Sequence, residues 1–163
     1  MKPIKIKPID NSYSIQAINL IVDIQQKEFN TSITINDQPD LFEIESYYVQ
    51  KGGNFWGAFI ANELVGTIAL ANFGTNNGAV RKMFVKESFR GKELGIAQEL
   101  LNKLISFAST HNIANLYLGT IDVFKAAQRF YERNNFTLIT KEELPLSFPL
   151  MHADNLFYYL KIK

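Results

Sequence analysis

The sequence predicts a mixed α/β fold, more specifically an α+β arrangement around a mainly antiparallel twisted sheet of about seven strands flanked by helices. Three observations carry that prediction. Extended apolar runs separated by turn residues fill 54–85, the apolar spacing switches to the helical period after Val85, and strand-like runs then alternate with helical ones. The resulting order is β-α-α-β-β-β-α-β-α-β-β, with an antiparallel front half and a helical crossover in the middle.

The elements follow in order. Ile4, Ile6 and Pro8 alternate with lysines, the period of a short edge strand. Asp10 or Ser12 is placed to cap a helix on which Ile15, Ile18, Ile21, Val22 and Phe29 recur at helical spacing, with Lys27 near its C-terminal end. After the turn-prone stretch 31–39, Asp40 caps a second helix bearing Leu41, Ile44, Tyr47 and Tyr48, which Gly52-Gly53 stops. The runs 54–60, 64–72 and 79–85 form a three-strand meander. Ile96, Leu100, Leu101, Leu104, Ile105 and Ala108 make one apolar face of a long helix that Asn112 ends. A strand at 116–120, a helix at 124–134 and strands at 136–139 and 156–162 complete the chain.

Composition removes several classes of function. A chain of 163 residues, 47% hydrophobic and 20% charged, reads as a single domain over 1–163 that buries roughly 70% of its unfolded surface without a metal or disulfide staple. With no cysteine, disulfides, thiolate zinc sites and cysteine nucleophiles are excluded. Seventeen basic against sixteen acidic side chains leave a formal charge of +1, which argues against nucleic acid as a partner. No apolar stretch approaches the roughly 18 residues of a membrane helix, and the N-terminus lacks the apolar block of a secretory signal. The expected location is the cytoplasm, with no membrane partner.

The informative segment runs from Val85 to Gln98, where Arg90, Gly91, Lys92 and Gly95 cluster between a strand and a helix. The first N–H groups of a helix lack intrahelical partners and carry the positive end of the dipole, so a pyrophosphate can accept several hydrogen bonds there. Glycines let the main chain approach the phosphates, and Arg90 and Lys92 add charge. Taken alone, the same residues also describe a solvated surface turn. Glu93 suits an anion site only if it faces solvent.

In this loop the sequence resembles the GNAT superfamily of acetyl-coenzyme A-dependent acetyltransferases, whose pyrophosphate loop reads Arg/Gln-x-x-Gly-x-Gly/Ala. Two registers fit. Either Arg90 takes the Arg/Gln place, with Glu93 and Gly95 in the glycine places, or Lys92 takes it, with Gly95 and Ala97 following. The second reproduces the spacing from loop to helix face and is preferred. Downstream, Ala127-Gln128-Arg129-Phe130-Tyr131-Glu132-Arg133-Asn134-Asn135-Phe136 resembles the family's Ala-x-x-aromatic-Tyr-Glu-basic-x-Gly-Phe, with Asn135 in the glycine place and Phe124 where an Asn is frequent. The tail from Leu144 to Tyr159 looks like the closing segment of some bacterial members.

The resemblance implies acetyl-CoA as cosubstrate, no metal, and an amine acceptor, with a homodimer as an open state. It implies splayed central strands at 80–85 and 116–120, the pantetheine arm lying between them. Met83, Phe84 and Val85 would then line the arm, and Arg90, Gly91, Lys92, Gly95, Ile96 and Ala97 the phosphates. A Met83 N–H would face the oxyanion and Tyr131 the sulfur as general acid. The alternative for Tyr131 is a core aromatic like Phe130. Glu28, Glu43, Asp122 and His152 are candidates for the base by residue type only, and His111 suits a helix C-terminus. Without cysteine, direct attack in a ternary complex is favoured over a cysteine-linked acyl enzyme. Tyr47, Tyr48, Phe55 and Trp56 are core residues or an acceptor pocket. Two competing functions remain: a noncatalytic acyl-CoA-binding or sensing module, and a nucleic-acid-binding domain that would need Arg81, Lys82, Arg90 and Lys92 in one exposed patch.

Overall fold

The computed structural model describes residues 3–163. Seven strands form one sheet: β1 (Ile4–Pro8), β2 (Asn54–Ile60), β3 (Glu63–Gly74), β4 (Asn77–Val85), β5 (Asn115–Thr120), β6 (Thr137–Ile139) and β7 (Leu156–Lys161). Their order across the sheet is β1-β2-β3-β4-β5-β7-β6, and every neighbouring pair is antiparallel except β4 with β5. Both hairpins of the meander close through two residues with positive φ, Ala61-Asn62 (50° and 68°) and Thr75-Asn76 (56° and 63°). That geometry matches the right-handed twist of the strands it joins.

Three α-helices flank the sheet: α1 (Ser14–Asp23), α2 (Ile96–Thr110) and α3 (Lys125–Arg133). The helix expected from Ile15 to Phe29 is shorter as an α-helix and continues as a wider π turn over Ile24–Glu28. The second expected helix is replaced by a 3₁₀ turn at Pro39–Phe42 and a π turn at Glu45–Val49, broken where Glu43 leaves the helical region at φ −132°. Its apolar residues are nonetheless buried, since Leu41, Ile44 and Tyr48 have no exposed surface. Packing, rather than α-helical geometry, satisfies the apolar spacing.

Both faces of the sheet are covered, which is why β3 reads as continuously apolar rather than alternating. Val65, Ile68 and Leu70 face α2 through Leu100, Leu101 and Leu104, whereas Leu64, Ala69 and Ala71 face α1 and the turns around Leu41 and Tyr48. Tyr48, Phe55 and Trp56 belong to these cores, with Trp56 edge-on to Phe107, so the aromatic cluster is structural apart from Tyr47. No helix among the described residues is long and apolar enough to cross a membrane.

Candidate active site

Pairing between β4 and β5 stops at Ala79 opposite Tyr117. From Val80 to Val85 the β4 edge has no strand partner on that side, and its backbone groups border a cavity of about 830 Å³. The strand is distorted here. Thr67 pairs with Phe84 but Ala69 with Arg81, so Ile68 stands opposite both Lys82 and Met83, and Lys82 takes a left-handed φ of 55°. The Thr67 hydroxyl donates to the Lys82 carbonyl at 2.6 Å, giving that buried acceptor a partner the bulged ladder no longer supplies.

At one end of the cavity lies the start of α2. Gly95 occupies its N-cap position with φ 64°, a conformation glycine adopts without penalty, and no side chain caps the helix. The Gly95 N–H is bound to Gly91 O and the Glu99 N–H to Gly95 O, so the amides of Ile96, Ala97 and Gln98 have no intrahelical acceptor. Three donors at the positive end of a fifteen-residue helix suit an anion. Glu93 is exposed and does not line the cavity. Arg90 is committed elsewhere. Its Nε donates to Val85 O at 2.7 Å and its guanidinium pairs bidentately with Glu28, fastening the loop to the π turn after α1.

All the residues expected at the cosubstrate site, Met83, Phe84, Val85, Arg90, Gly91, Lys92, Gly95, Ile96 and Ala97, border this one cavity together with Tyr131. Phe124 borders it too and stacks edge-on against Phe29 and Phe84, forming an aromatic wall in place of an amide side chain. Asn135 has φ 70°, the left-handed ending expected of a residue in the glycine place.

Tyr131 is 5% exposed, packed among Phe130, Phe136 and Tyr158, with its hydroxyl unpartnered among the described residues. It is therefore both a core aromatic and a cavity group. Burial, reinforced by Asp154 and Tyr158, holds its phenol well above the ordinary range, so the hydroxyl keeps its proton at any working pH.

Of the residues considered for the base, His152 borders the cavity, whereas Glu28 is paired with Arg90, and exposed Glu43 and Asp122 lie away from it. His111 stacks on Phe107 at the end of α2. Two carboxylates among the described residues border the cavity: Asp37, which accepts from Thr34, and Asp154, just before β7. The Asp154 side chain lies over Gly119 of β5, where a Cβ would come within 2.4 Å of Oδ2. Burial raises its pKa from 3.8 to about 6, against the pull of Arg81 and Lys82.

Beyond Asp154 sits a buried polar group on the β4 bulge. Lys82 Nζ donates to Gln38 Oε1 at 2.7 Å and lies 3.6 Å from Asp40, which also accepts from the Tyr48 hydroxyl at 2.5 Å. Burial lowers the Lys82 pKa to about 8, with Asp40 opposing the shift. Arg81 and Lys82 thus border the cavity, while Arg90 is held by Glu28.

An open strand edge, a helix start aimed at the same cavity and a buried phenol between them define a fold that binds an extended cosubstrate with an anionic end. A family model described as "Acetyltransferase (GNAT) family" matches residues 18–136, and the chain belongs to that family. It is an acyltransferase fold. An acetyltransferase of the GNAT family from Staphylococcus aureus Mu50 superposes with a TM-score of 0.95 at 42% identity, covering 99% of this chain and 100% of that one. PaiA N-acetyltransferase from Thermoplasma acidophilum, whose structure is a complex with coenzyme A, shares the fold at a TM-score of 0.75 and 16% identity, over 98% of this chain and 99% of that one.

N-acetylaspartate synthetases from Danio rerio and Xenopus tropicalis are 36% and 32% identical over 64% and 75% of the chain. The chain spans only 37% and 46% of the length of those two relatives.

Proposed function

We propose that the protein transfers an acetyl group from acetyl-CoA directly to a primary amine of a small molecule or peptide. The observation that carries this reading is the single cavity that runs from the open amides of α2, along the unpaired β4 edge, to Tyr131 and Asp154. The name of the curated relatives favours a free amino acid over a peptide as acceptor.

Each chemical demand of the reaction has a residue suited to it. The amides of Ile96, Ala97 and Gln98 receive the pyrophosphate, with Lys92 adding charge and Arg90 bracing the loop. The β4 edge from Met83 to Val85 hydrogen-bonds the pantetheine amides as a missing strand would. Asp154, ionised above about pH 6, takes a proton from the ammonium form of the acceptor and leaves a nucleophilic amine. The Met83 N–H stabilises the carbonyl oxygen as it gains charge. Tyr131 donates a hydrogen bond to the departing sulfur, and because its phenol is a weaker acid than the thiol it passes its proton only as the cationic nitrogen of the collapsing intermediate returns one to it. Over the whole reaction one ammonium proton reaches the thiol and one leaves through Asp154 to solvent.

The test is thiol release from acetyl-CoA across a panel of amines, with a thermal-shift titration by coenzyme A beside it. Turnover of at least one amine, together with stabilisation by coenzyme A, is expected. Stabilisation without turnover of any amine identifies a sensing module instead, and no stabilisation removes both readings.

A further inference from the structure

Arg81, Lys82 and Asp154 border the cavity, with Asp40 buried behind Lys82, and these four charges are not equivalent. Asp40 and Lys82 satisfy one another, with Tyr48 and Gln38 completing their hydrogen bonds and Gln25 bracing Gln38 at 2.8 Å. Arg81 has no such partner. No carboxylate among the described residues lies within 4.0 Å of its guanidinium, which donates only to the Tyr47 hydroxyl at 3.2 Å and to the Met151 sulfur. A guanidinium carries five N–H donors, so most of its hydrogen-bonding capacity faces the cavity unspent. The rings of Tyr47 and Tyr48 lie 5.5 and 5.9 Å from its central carbon and fix its orientation. Asp154 is the matching opposite: a cavity-lining carboxylate that accepts no hydrogen bond from the described residues.

We propose that Arg81 and Asp154 form a subsite for a zwitterion, so that the acceptor is a free amino acid whose carboxylate binds the Arg81 guanidinium while its ammonium faces Asp154. The proposal rests on the acetyl-transfer reading above and gives its acceptor a chemical class. Arg81 is half-buried and no carboxylate among the described residues hydrogen-bonds it, so a bound carboxylate would add charge-assisted bonds of the fork geometry to donors that are otherwise unspent. The same charges disfavour polycations. A polyamine or a lysine side chain would bring further positive charge against Arg81 and Lys82, with Asp154 and the Thr34-bound Asp37 as the cavity's carboxylates to receive it.

The experiment compares acetylation of free amino acids with acetylation of their own α-amides, L-alanine beside L-alaninamide and L-aspartate beside its α-amide, and adds spermidine. The amide keeps the shape and loses the carboxylate. Losing that charge also leaves the amine less protonated at neutral pH, a bias that works against the expected result. The acids should exceed the amides by about 10- to 100-fold in kcat/KM, the size of a charged hydrogen-bonded contact. Arg81→Met should bring each pair close to parity by raising KM for the acid, and Arg81→Lys should fall between. Amides or spermidine turned over as well as the acids by the wild-type protein would overturn the subsite while leaving acetyl transfer intact, and that comparison needs no variant. An acid preference that survives in a folded Arg81→Met protein, still stabilised by coenzyme A, would overturn it equally. Failure of every amine would remove the acetyl-transfer reading along with it.

Discussion

Replacing Asp154 by Asn should sharply reduce turnover and stabilise the fold, a combination that a merely structural aspartate would not produce. Burial raises the carboxyl from 3.8 to about 6 although Arg81 and Lys82 attract its charge. In the unfolded chain the group ionises near its ordinary value, so between about pH 4 and pH 6 the folded protein binds more protons than the unfolded one. The favourable contribution of the neutral acid is therefore complete below pH 3.8 and is lost as pH rises through about 6. Taken at face value the rise costs about 3 kcal/mol at neutral pH, and the partial solvent access of the carboxyl reduces this to about 1–2 kcal/mol. Asparagine carries no charge at any of these pH values. Urea unfolding should show Asp154→Asn more stable than wild type by that amount near pH 7.5, with the difference vanishing towards pH 4. In the same preparation kcat/KM should fall by about 10²- to 10⁴-fold, and the acid limb of the wild-type profile, with its midpoint near 6, should disappear. A variant less stable than wild type at neutral pH, or one that keeps the acid limb, would show that Asp154 is not the proton acceptor.

Gly119→Ala should reproduce much of the Asp154→Asn loss of activity, because the new Cβ would meet Oδ2 at 2.4 Å and displace the carboxylate; normal turnover in that variant would place the base elsewhere. Tyr131→Phe keeps the packing against Phe130 and Phe136, so stability should change by less than about 1 kcal/mol while kcat drops by about 10²-fold or more. Its coenzyme A affinity should be unchanged, and turnover within a few-fold of wild type across the pH range would leave Tyr131 a core residue only. Thr67→Val removes the hydroxyl that satisfies the Lys82 carbonyl and should cost about 1–3 kcal/mol in urea unfolding, with kcat falling more than coenzyme A binding; a neutral effect on both would mean that the bulge needs no such support.

The proposed cosubstrate half of the site is legible in the sequence because it is local. The α2 start and its glycines are one continuous segment, and Tyr131 sits in one short helix whose neighbours repeat a family pattern. The acceptor half is not local. Arg81, Asp154 and the Asp40–Tyr47 segment come from three separate stretches, and only the folded sheet brings Asp154 over Gly119 and turns Arg81 towards the tail at Met151. One signal was available: Arg81 and Lys82 stand side by side in an otherwise apolar strand, and two adjacent charges in a central strand are expensive unless they are used. The second helix failed for a different reason. Leu41, Ile44 and Tyr48 need only reach the core, and 3₁₀ and π turns deliver them as well as an α-helix does.

The distortion in β4 explains how one strand serves both halves. In a regular strand Arg81 and Lys82 would project to opposite faces and Met83 would keep its place in the ladder. Placing Lys82 at φ 55° costs on the order of 1–2 kcal/mol for a residue with a Cβ. The Thr67 hydroxyl and the Lys82–Asp40–Gln38 contacts offset that cost. With the bulge in place both cations border the cavity, and the residue that follows them, Met83, lies on the edge that β5 has abandoned. On the proposed reading, acceptor recognition and oxyanion stabilisation both depend on three consecutive residues on a braced stretch of backbone. On that reading a shift of the Arg81 guanidinium also moves the Met83 amide, so a change that loosens this bulge should reduce the rate of the bound complex before it reduces affinity for coenzyme A, whose anionic end is proposed to sit at the start of α2.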